Sequence, residues 1–571
     1  IGLSAKLAEG LFFETSGNLN LNFGNISNFS PTRTTRDWDG NIVNQSVLNS
    51  LSNDFNFSYR LMNENILRYA KSFDDSHNFN FMLGHSVIYD KVDGFSGSLQ
   101  GFPTDNIQEF NGGGVLNPSV SGGAAEEAWQ SFFGRVNYNY QEKYLFEFNL
   151  RRDGSSKFGP ENRYGTFPSV SAGWNIGRES FLAGSEVFSD IKVRGSWGIS
   201  GNDRIGNYIF EQTYNTGLDY HIGQSTIVPA VALTSLANPS IRWEKIEQYN
   251  FGVDMALFQN KLNVTMDYFT RISSDILYTN FPIPNSIGVT NLAAQNAAGM
   301  ENRGVELNLN YRKTFGQFRM EIGGNVTRMA DNKVTSLGDG GEETISGNTI
   351  IRIGVPFQSY FGYQTEGIFQ SQEEVDGAPV QFGSNITAPG DIRYADINDD
   401  GVINADDRVI IGNPFPRWIY GANASFSYKN FDITAIFQGI GRVDRIMNGN
   451  GQLPMADERN NALSYWIDRW TPENPSEVLP RLGGVNNQST STFYVEDMSF
   501  FRMKNLEIGY NLPKAIAQRL LMQRARVFIG GQNLLTLTKV KNFDPERQRG
   551  GNTDRQAPLY KVYTAGINLK F

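Results

Sequence analysis

The segment 396–407, "DINDDGVINADD", sets oxygen-bearing side chains at the spacing a calcium loop requires. Asp396, Asn398 and Asp400 fall at positions 1, 3 and 5 of an EF-hand-like loop, Gly401 at 6, the Val402 carbonyl at 7, Asn404 at 9 and Asp407 at 12. Ca²⁺ is a hard ion that takes six to eight oxygens, and a glycine lets the chain turn sharply around it. Asp at position 12 in place of Glu departs from the EF-hand pattern, and no amphipathic helix precedes the loop. An acidic glycine turn held by Asx hydrogen bonds accounts for the same residues without a metal. Calcium bound there would stiffen a loop; it would carry out no reaction.

No other constellation supports turnover, so an enzyme is not expected. His77, His85 and His221 are scattered, HExxH does not occur, and the absence of cysteine removes thiolate ligands, nucleophiles and disulfides. GxSxG is missing too, and "GIGRVDR" (439–445) lacks the strand–Gly–helix setting of a nucleotide fold. The neighbours Asp74/Asp75 and Asp406/Asp407 define no glycosidase geometry. A net charge of −9 with no basic stripe argues against nucleic acid. The long polar segments do hold aromatic clusters: Tyr208, Phe210 and Tyr214; Tyr360, Phe361, Tyr363 and Phe369; Tyr465, Trp466 and Trp470. Beside Asn, Asp and Arg, such rings stack on sugars or hold peptides. Packing within folded loops is their plainer use. Arg151, Arg152 and Asp153 are expected to anchor a strand and its loop rather than to select a ligand.

These residues hang on a repeated element. In "SFFGRVNYNYQEKYLFEFNLRRDGSSKFG" (131–159), Val136, Tyr138 and Tyr140 alternate with Asn137 and Asn139. After "QEK", Phe146, Phe148 and Leu150 alternate with Glu147, Asn149 and Arg151. Period two means strands with one aromatic face and one polar face. The pattern recurs at Leu19–Phe23, Phe55–Leu61, Leu262–Tyr268, Val305–Tyr311 and Ala422–Tyr428. Short turns at "AEG", "FDDS", "QEK", "FQNK", "KTFGQ" and "YKNF" alternate with long Gly-rich polar segments near 25–53, 92–128, 153–165, 201–241, 278–298, 332–415, 446–493 and 537–558. Apolar residues make up 39 % and aromatics 13 %, and mean hydropathy is −0.39. No run approaches the ~18 apolar residues of a membrane helix. A transmembrane β-barrel escapes that test, because its strands show lipid every second residue and need only ~9–11 residues to cross. A β-propeller or stacked sandwiches would also give many strands, but they would bury faces that here carry Asn, Glu and Arg. The expected fold is all-β, a transmembrane antiparallel barrel. In "VYTAGINLKF", Tyr563, Ala565, Ile567, Leu569 and Phe571 share one face and end on an aromatic residue.

The chain resembles one family, the SusC/RagA-type TonB-dependent transporters of the Bacteroidetes outer membrane. Resembling stretches are "RRDGSSKFGPENRYGTFPSVSAGWNI" (151–176), "SWGISGNDRIGNY" (196–208), "NPSIRWEKIEQYNFGVDMALF" (238–258), "NRGVELNLNY" (302–311), "PGDIRYADINDDGVINADDRVIIGNPFP" (389–416), "YVEDMSFFRMKNLEIGYNLP" (494–513), "GQNLLTLTKVKNFDPE" (531–546) and "GINLKF". The resemblance implies a barrel of about 22 strands filled by an N-terminal plug. About 17 strands are expected in residues 1–571, all within one barrel domain, with the plug, the TonB box and about five strands upstream. The start at "IGLSAKLAEG" is accordingly read as internal to a longer protein. Such a partial sheet would leave backbone groups unpaired in lipid and should not close by itself. The implied activity is TonB-driven import of an oligosaccharide or oligopeptide under a SusD-like lipoprotein lid. Phe571 is the implied insertion signal read by the barrel assembly machinery. Tyr360, Tyr363, Tyr465, Trp466 and Trp470 become candidate cargo or lid contacts. The competing classes are a passive porin-like channel and a secreted all-β carbohydrate-binding protein or enzyme.

Overall fold

Alternation with period two dictates extended backbone, and the computed structural model places the long strands in a 17-stranded main sheet. It describes residues 1–571 except 47, 114–115, 183, 224–225, 234, 279–285, 287–288, 290, 339–340, 384–385, 448–461, 542 and 547–558. The strands of this sheet are β1 (Gly2–Ala8), β2 (Leu11–Ser30), β3 (Ser50–Phe73), β4 (His77–Gln100), β5 (Leu116–Tyr140), β6 (Tyr144–Ser155), β7 (Tyr164–Asn175), β8 (Phe188–Asn202) and β9 (Glu244–Leu257). They continue with β10 (Leu262–Tyr278), β11 (Gln295–Phe315), β12 (Phe318–Leu337), β13 (Trp418–Tyr428), β14 (Phe431–Gly441), β15 (Phe500–Asn511), β16 (Arg524–Thr538) and β17 (Val562–Lys570). Two short helices accompany them, α1 (Gln372–Asp376) and α2 (Lys514–Arg519).

The chain packs as two compact units: Ile1–Ala172 with Trp197–Ile246 and Asp275–Asn296, and Gly173–Ser196 with Glu247–Ser274 and Ala297–Phe571. In the first unit, β1 to β6 pair antiparallel in chain order. In the second, β11 to β17 do the same.

Register keeps the two faces apart. Across β5 and β6, Val136 lies opposite Phe148 and Tyr138 opposite Phe146, while Asn137 meets Glu147 and Arg135 meets Asn149. Phe146, Phe148 and Leu150 are 45, 40 and 44 % exposed, so among the described residues this aromatic face is left open. A one-residue slip would reverse every one of these side chains. At Gly84 the Phe133 ring lies 2.1 Å from where a Cβ would stand, so any side chain there would have to displace that ring.

The six short turns close as the sequence suggests, several through left-handed backbone at non-glycine residues: Asp74 and Asp75, Gln141 and Glu142, Phe258 to Asn260, and Lys429. Two connections at the same end are longer, 176–187 and 512–523, and contain helical turns. The expected loops at 25–53 and 92–128 are largely strand instead. β2, β3, β4 and β5 run 20, 24, 24 and 25 residues, about twice the ~9–11 needed to cross a bilayer. Their outer halves are rich in Gly, Asn and Asp, which have poor strand propensity, and in Ser. The ladder, with Val92 opposite Ala125 and Ser96 opposite Ser121, holds them extended.

Candidate functional site

The polar faces carry the first set of functional groups. Arg194 on β8 reaches Asp254 on β9 and Asp267 on β10 at 3.0 and 2.7 Å, and its Nη1 donates to Asn250. Arg526 on β16 bridges Asp432 on β14 and Glu507 on β15. Arg502, buried on β15, pairs with Asp544 at 2.8 Å and with Glu546, which also takes Lys504 at 2.6 Å. Each network joins strands or loops 19 to 94 residues apart. Alternation predicts that these residues share a face; nothing local predicts which of them pair.

The long segments after β12 and β14 fold into small structures with cores of their own. Ile392, Tyr394 and Ile403 are buried together, with Tyr363, Phe382 and Phe493 packed against them. The Tyr363, Phe382 and Tyr394 rings lie 5.0 to 5.6 Å apart. Tyr394 donates its hydroxyl to the Asn486 carbonyl at 2.7 Å, and burial raises its pKa well above the ordinary phenol value. Asp391, 1 % exposed, is held by Arg481 through two nitrogens at 2.7 and 2.9 Å and accepts from Asn487 at 3.0 Å.

The candidate aromatics divide by burial. Tyr360, Trp466 and Trp470 are buried, and Tyr363 belongs to the core just described. The Trp470 Nε1 donates to Gln370 at 3.2 Å. The Tyr465 and Trp466 rings meet at 5.8 Å, tilted by 30°, and line a cavity of about 410 Å³ with Phe493, Tyr494, Glu496 and Lys541. Tyr360, Tyr363, Trp466 and Trp470 thus pack within folded loops.

In the acidic loop, the side chains turn toward backbone. Asp396 accepts from Asp400 and Gly401 N–H groups at 3.2 and 2.8 Å, Asn398 from Asp400 at 3.1 Å, and Asp400 from Val402 at 2.8 Å. Asp407, fully buried, accepts from Ile397 and Asn404 at 2.9 and 2.7 Å and closes a capping box with Asn404. Gly401 has φ +81°, the conformation the turn requires. Among the described residues, no three Asp, Glu or His side chains are grouped to hold a metal ion. The Asx turns by themselves fix the loop's shape.

Parts of the stretches near 151–172, 197–208 and 238–246 lie together in the first unit. Phe158, Phe167, Ile241, Trp243 and Ala294 form a buried cluster. The Trp129 Nε1 and Ser155 hydroxyl both donate to Asp203, at 2.6 and 2.8 Å, and Trp243 Nε1 donates to the Arg163 carbonyl. Arg151 binds Asp153 on the same strand at 2.7 Å and donates to Ser131 on β5, and Arg152 sits over the Tyr164 ring of β7, so both arginines tie β6 to a neighbouring strand. Phe571 lies exposed just beyond β17, on the face of Ile567 and Leu569.

Residues 6–534 match the family described as TonB dependent receptor-like, beta-barrel. The chain belongs to that family. TonB-dependent receptor P3 of Formosa agariphila is 32 % identical over 589 residues, covering 99 % of this chain and 57 % of that protein. TonB-dependent receptor SusC of Bacteroides thetaiotaomicron is 26 % identical over 569 residues, 96 % of this chain and 52 % of that one. The RagAB peptide transporter structure superposes with a TM-score of 0.83 at 26 % identity, covering 100 % of this chain and 61 % of that chain. The RagAB importer in its open-open state gives 0.84, with 60 % of that chain covered. The chain spans just over half the length of the curated relatives it matches. This TonB-dependent receptor-like barrel is of the SusC/RagA type and is integral to an outer membrane. Its exposed aromatic faces are therefore lipid-facing, and its paired polar faces line the lumen.

Proposed function

We propose that the complete protein imports a large nutrient, an oligosaccharide or an oligopeptide, across the outer membrane, driven by TonB and closed from outside by a SusD-like lipoprotein. The observation that carries this reading is the similarity, over the whole chain, to the RagAB peptide importer. The folded loops support it further. A passive channel needs only a wall, whereas these loops hold buried cores and an ion pair on a buried carboxylate, the rigid surface a lid can seat on. The uncovered apolar faces weigh against a secreted carbohydrate-binding protein, which would have to cover them. No catalytic step belongs to this function. Barrel assembly machinery reading the terminal strand with Phe571 would deliver the protein to its membrane.

The test is purification of the full-length protein from its own outer membrane in mild detergent, followed by mass spectrometry of what accompanies it. A stoichiometric lipoprotein with bound glycan or peptide is expected and would name the cargo class. A polypeptide free of any lipoprotein would remove the lid from the proposal. Uptake that persists after TonB deletion would remove active transport.

A further inference from the structure

The connection 512–523 between β15 and β16 is twelve residues long, where the six short turns at the same end take two to four. It carries α2, and α2 contacts β16. Ala525 shares the outward face of Val527 and Ile529, yet it is 2 % exposed where they are 43 and 59 %. Ala517, on α2, is the buried residue of the helix. α2 therefore lies across the outward, lipid-facing side of the barrel wall rather than under the lumen.

What α2 leaves uncovered is apolar. Ile516 and Leu520 are half exposed and Leu521 is 87 % exposed. Leu521 ends the helix in left-handed backbone, φ +58°, with the Met522 N–H donating to the Ala517 carbonyl and the Leu521 N–H to that of Gln518. That is the position where glycine is favoured, because a Cβ is strained there. A bulky apolar side chain held in strain and in the open gains nothing from the fold itself. Lys514 and Arg519 flank it, and neither makes an ion pair among the described residues. The neighbouring Tyr510 and Phe431 rings meet at 4.7 Å, and exposed Tyr428 extends this aromatic girdle where strands leave the lipid. The other long connection at this end, 176–187, likewise exposes Phe181 beside the basic Arg178.

We propose that residues 512–523 are an interfacial anchor seated in the phospholipid leaflet at the short-turn end, with Ile516, Leu520 and Leu521 among the acyl chains and Lys514 and Arg519 on headgroup phosphates. An apolar edge flanked by cations is the chemistry of a helix lying in a membrane interface. The surface is continuous with the lipid-facing wall through Ile508, Tyr510 and Val527. The proposal rests on that wall facing lipid.

The test uses the full-length protein with single cysteines, Leu521→Cys, Ile529→Cys and Asn430→Cys, any upstream cysteine being replaced. Each is labelled with an environment-sensitive fluorophore and reconstituted in phosphatidylcholine vesicles, with and without phosphatidylglycerol. Position 529 reports the wall and position 430 a short turn. With iodide on both sides, quenching at 521 is expected to be severalfold weaker than at 430, and nitroxide-labelled lipid is expected to quench it as it does 529. Iodide access at 521 equal to 430, with 529 in lipid, overturns the anchor alone. Iodide access at 529 overturns the lipid-facing wall itself. Protection of 521 from both quenchers means protein covers it and also overturns the anchor. Lys514→Gln with Arg519→Gln is expected to reduce any preference for phosphatidylglycerol roughly fivefold per charge. An unchanged preference overturns the headgroup contact.

Discussion

Arg481 grips Asp391 from 90 residues away, Nε to Oδ1 at 2.7 Å and Nη2 to Oδ2 at 2.9 Å, with the carboxylate out of reach of water. Asn487 donates to the same carboxylate and accepts from Ile392 N–H, so one acidic group ties two distant loop segments together. Removing one partner leaves an uncompensated buried charge, at about 3 kcal/mol or more. Arg481→Ala is expected to raise hydrogen exchange at Ile392–Tyr394 and Val485–Gln488 while the heat-modifiable gel shift of the barrel persists. Unchanged exchange in both segments would show that the pair does not hold the loops.

A charge placed on the lipid face has a different cost from one on the lumen face. Phe148→Arg is expected to destabilise the barrel by about 2–4 kcal/mol near mid-membrane. Asn149→Lys, one residue along but facing the lumen, is expected to cost much less. Urea unfolding of the full-length protein in lipid vesicles measures both. Equal losses would contradict the assignment of faces.

Calcium at 396–407 is a separate proposal, resting on ligand spacing. Each Asp396 oxygen accepts one backbone hydrogen bond and so keeps a lone pair for a cation. Asn398, Val402 and Asn404 oxygens would have to complete the shell, since Asp407 is committed to backbone donors. Asp396→Ala with Asp400→Ala is expected to lower the calcium content of the full-length protein. Identical metal content in the two proteins rules the loop out.

Burial raises the Asp444 carboxyl above its ordinary value. The folded protein thus holds this proton more tightly than the unfolded chain does. Its contribution to stability is complete below 3.8 and is lost as pH rises through the folded value. Protection factors at Asp444–Ile446 and Val495–Asp497, which pair as strands, are expected to fall over that window. Asp444→Asn should flatten the fall, since an amide can still accept from Asn413 N–H. A slope unaltered by the substitution would assign the pH dependence to another group.

Much of the architecture is legible in the residues. Phe146, Phe148 and Leu150 against Glu147, Asn149 and Arg151 state which face meets lipid, and "QEK" or "YKNF" state where the chain reverses. Strand length is not legible in the same way. Residues 92–100 and 116–128 look like parts of one loop, because "GGAAEE" has neither alternation nor strand propensity, and only pairing between them extends them.

The candidate sites follow the same division. Spacing alone picks out 396–407 as a tight acidic turn, since its hydrogen bonds run between residues two to ten apart. Nothing in the sequence near Asp391 points to Arg481, nor near Arg502 to Asp544 and Glu546. The sequence by itself determined the two-faced strands, the short turns and the family. Only the tertiary structure decided that Tyr360, Trp466 and Trp470 are interior, which charges pair, and that Leu521 stands in the open. Periodicity reports the environment of a residue averaged over its own strand, whereas burial and pairing depend on segments dozens of residues away, brought together when the chain folds.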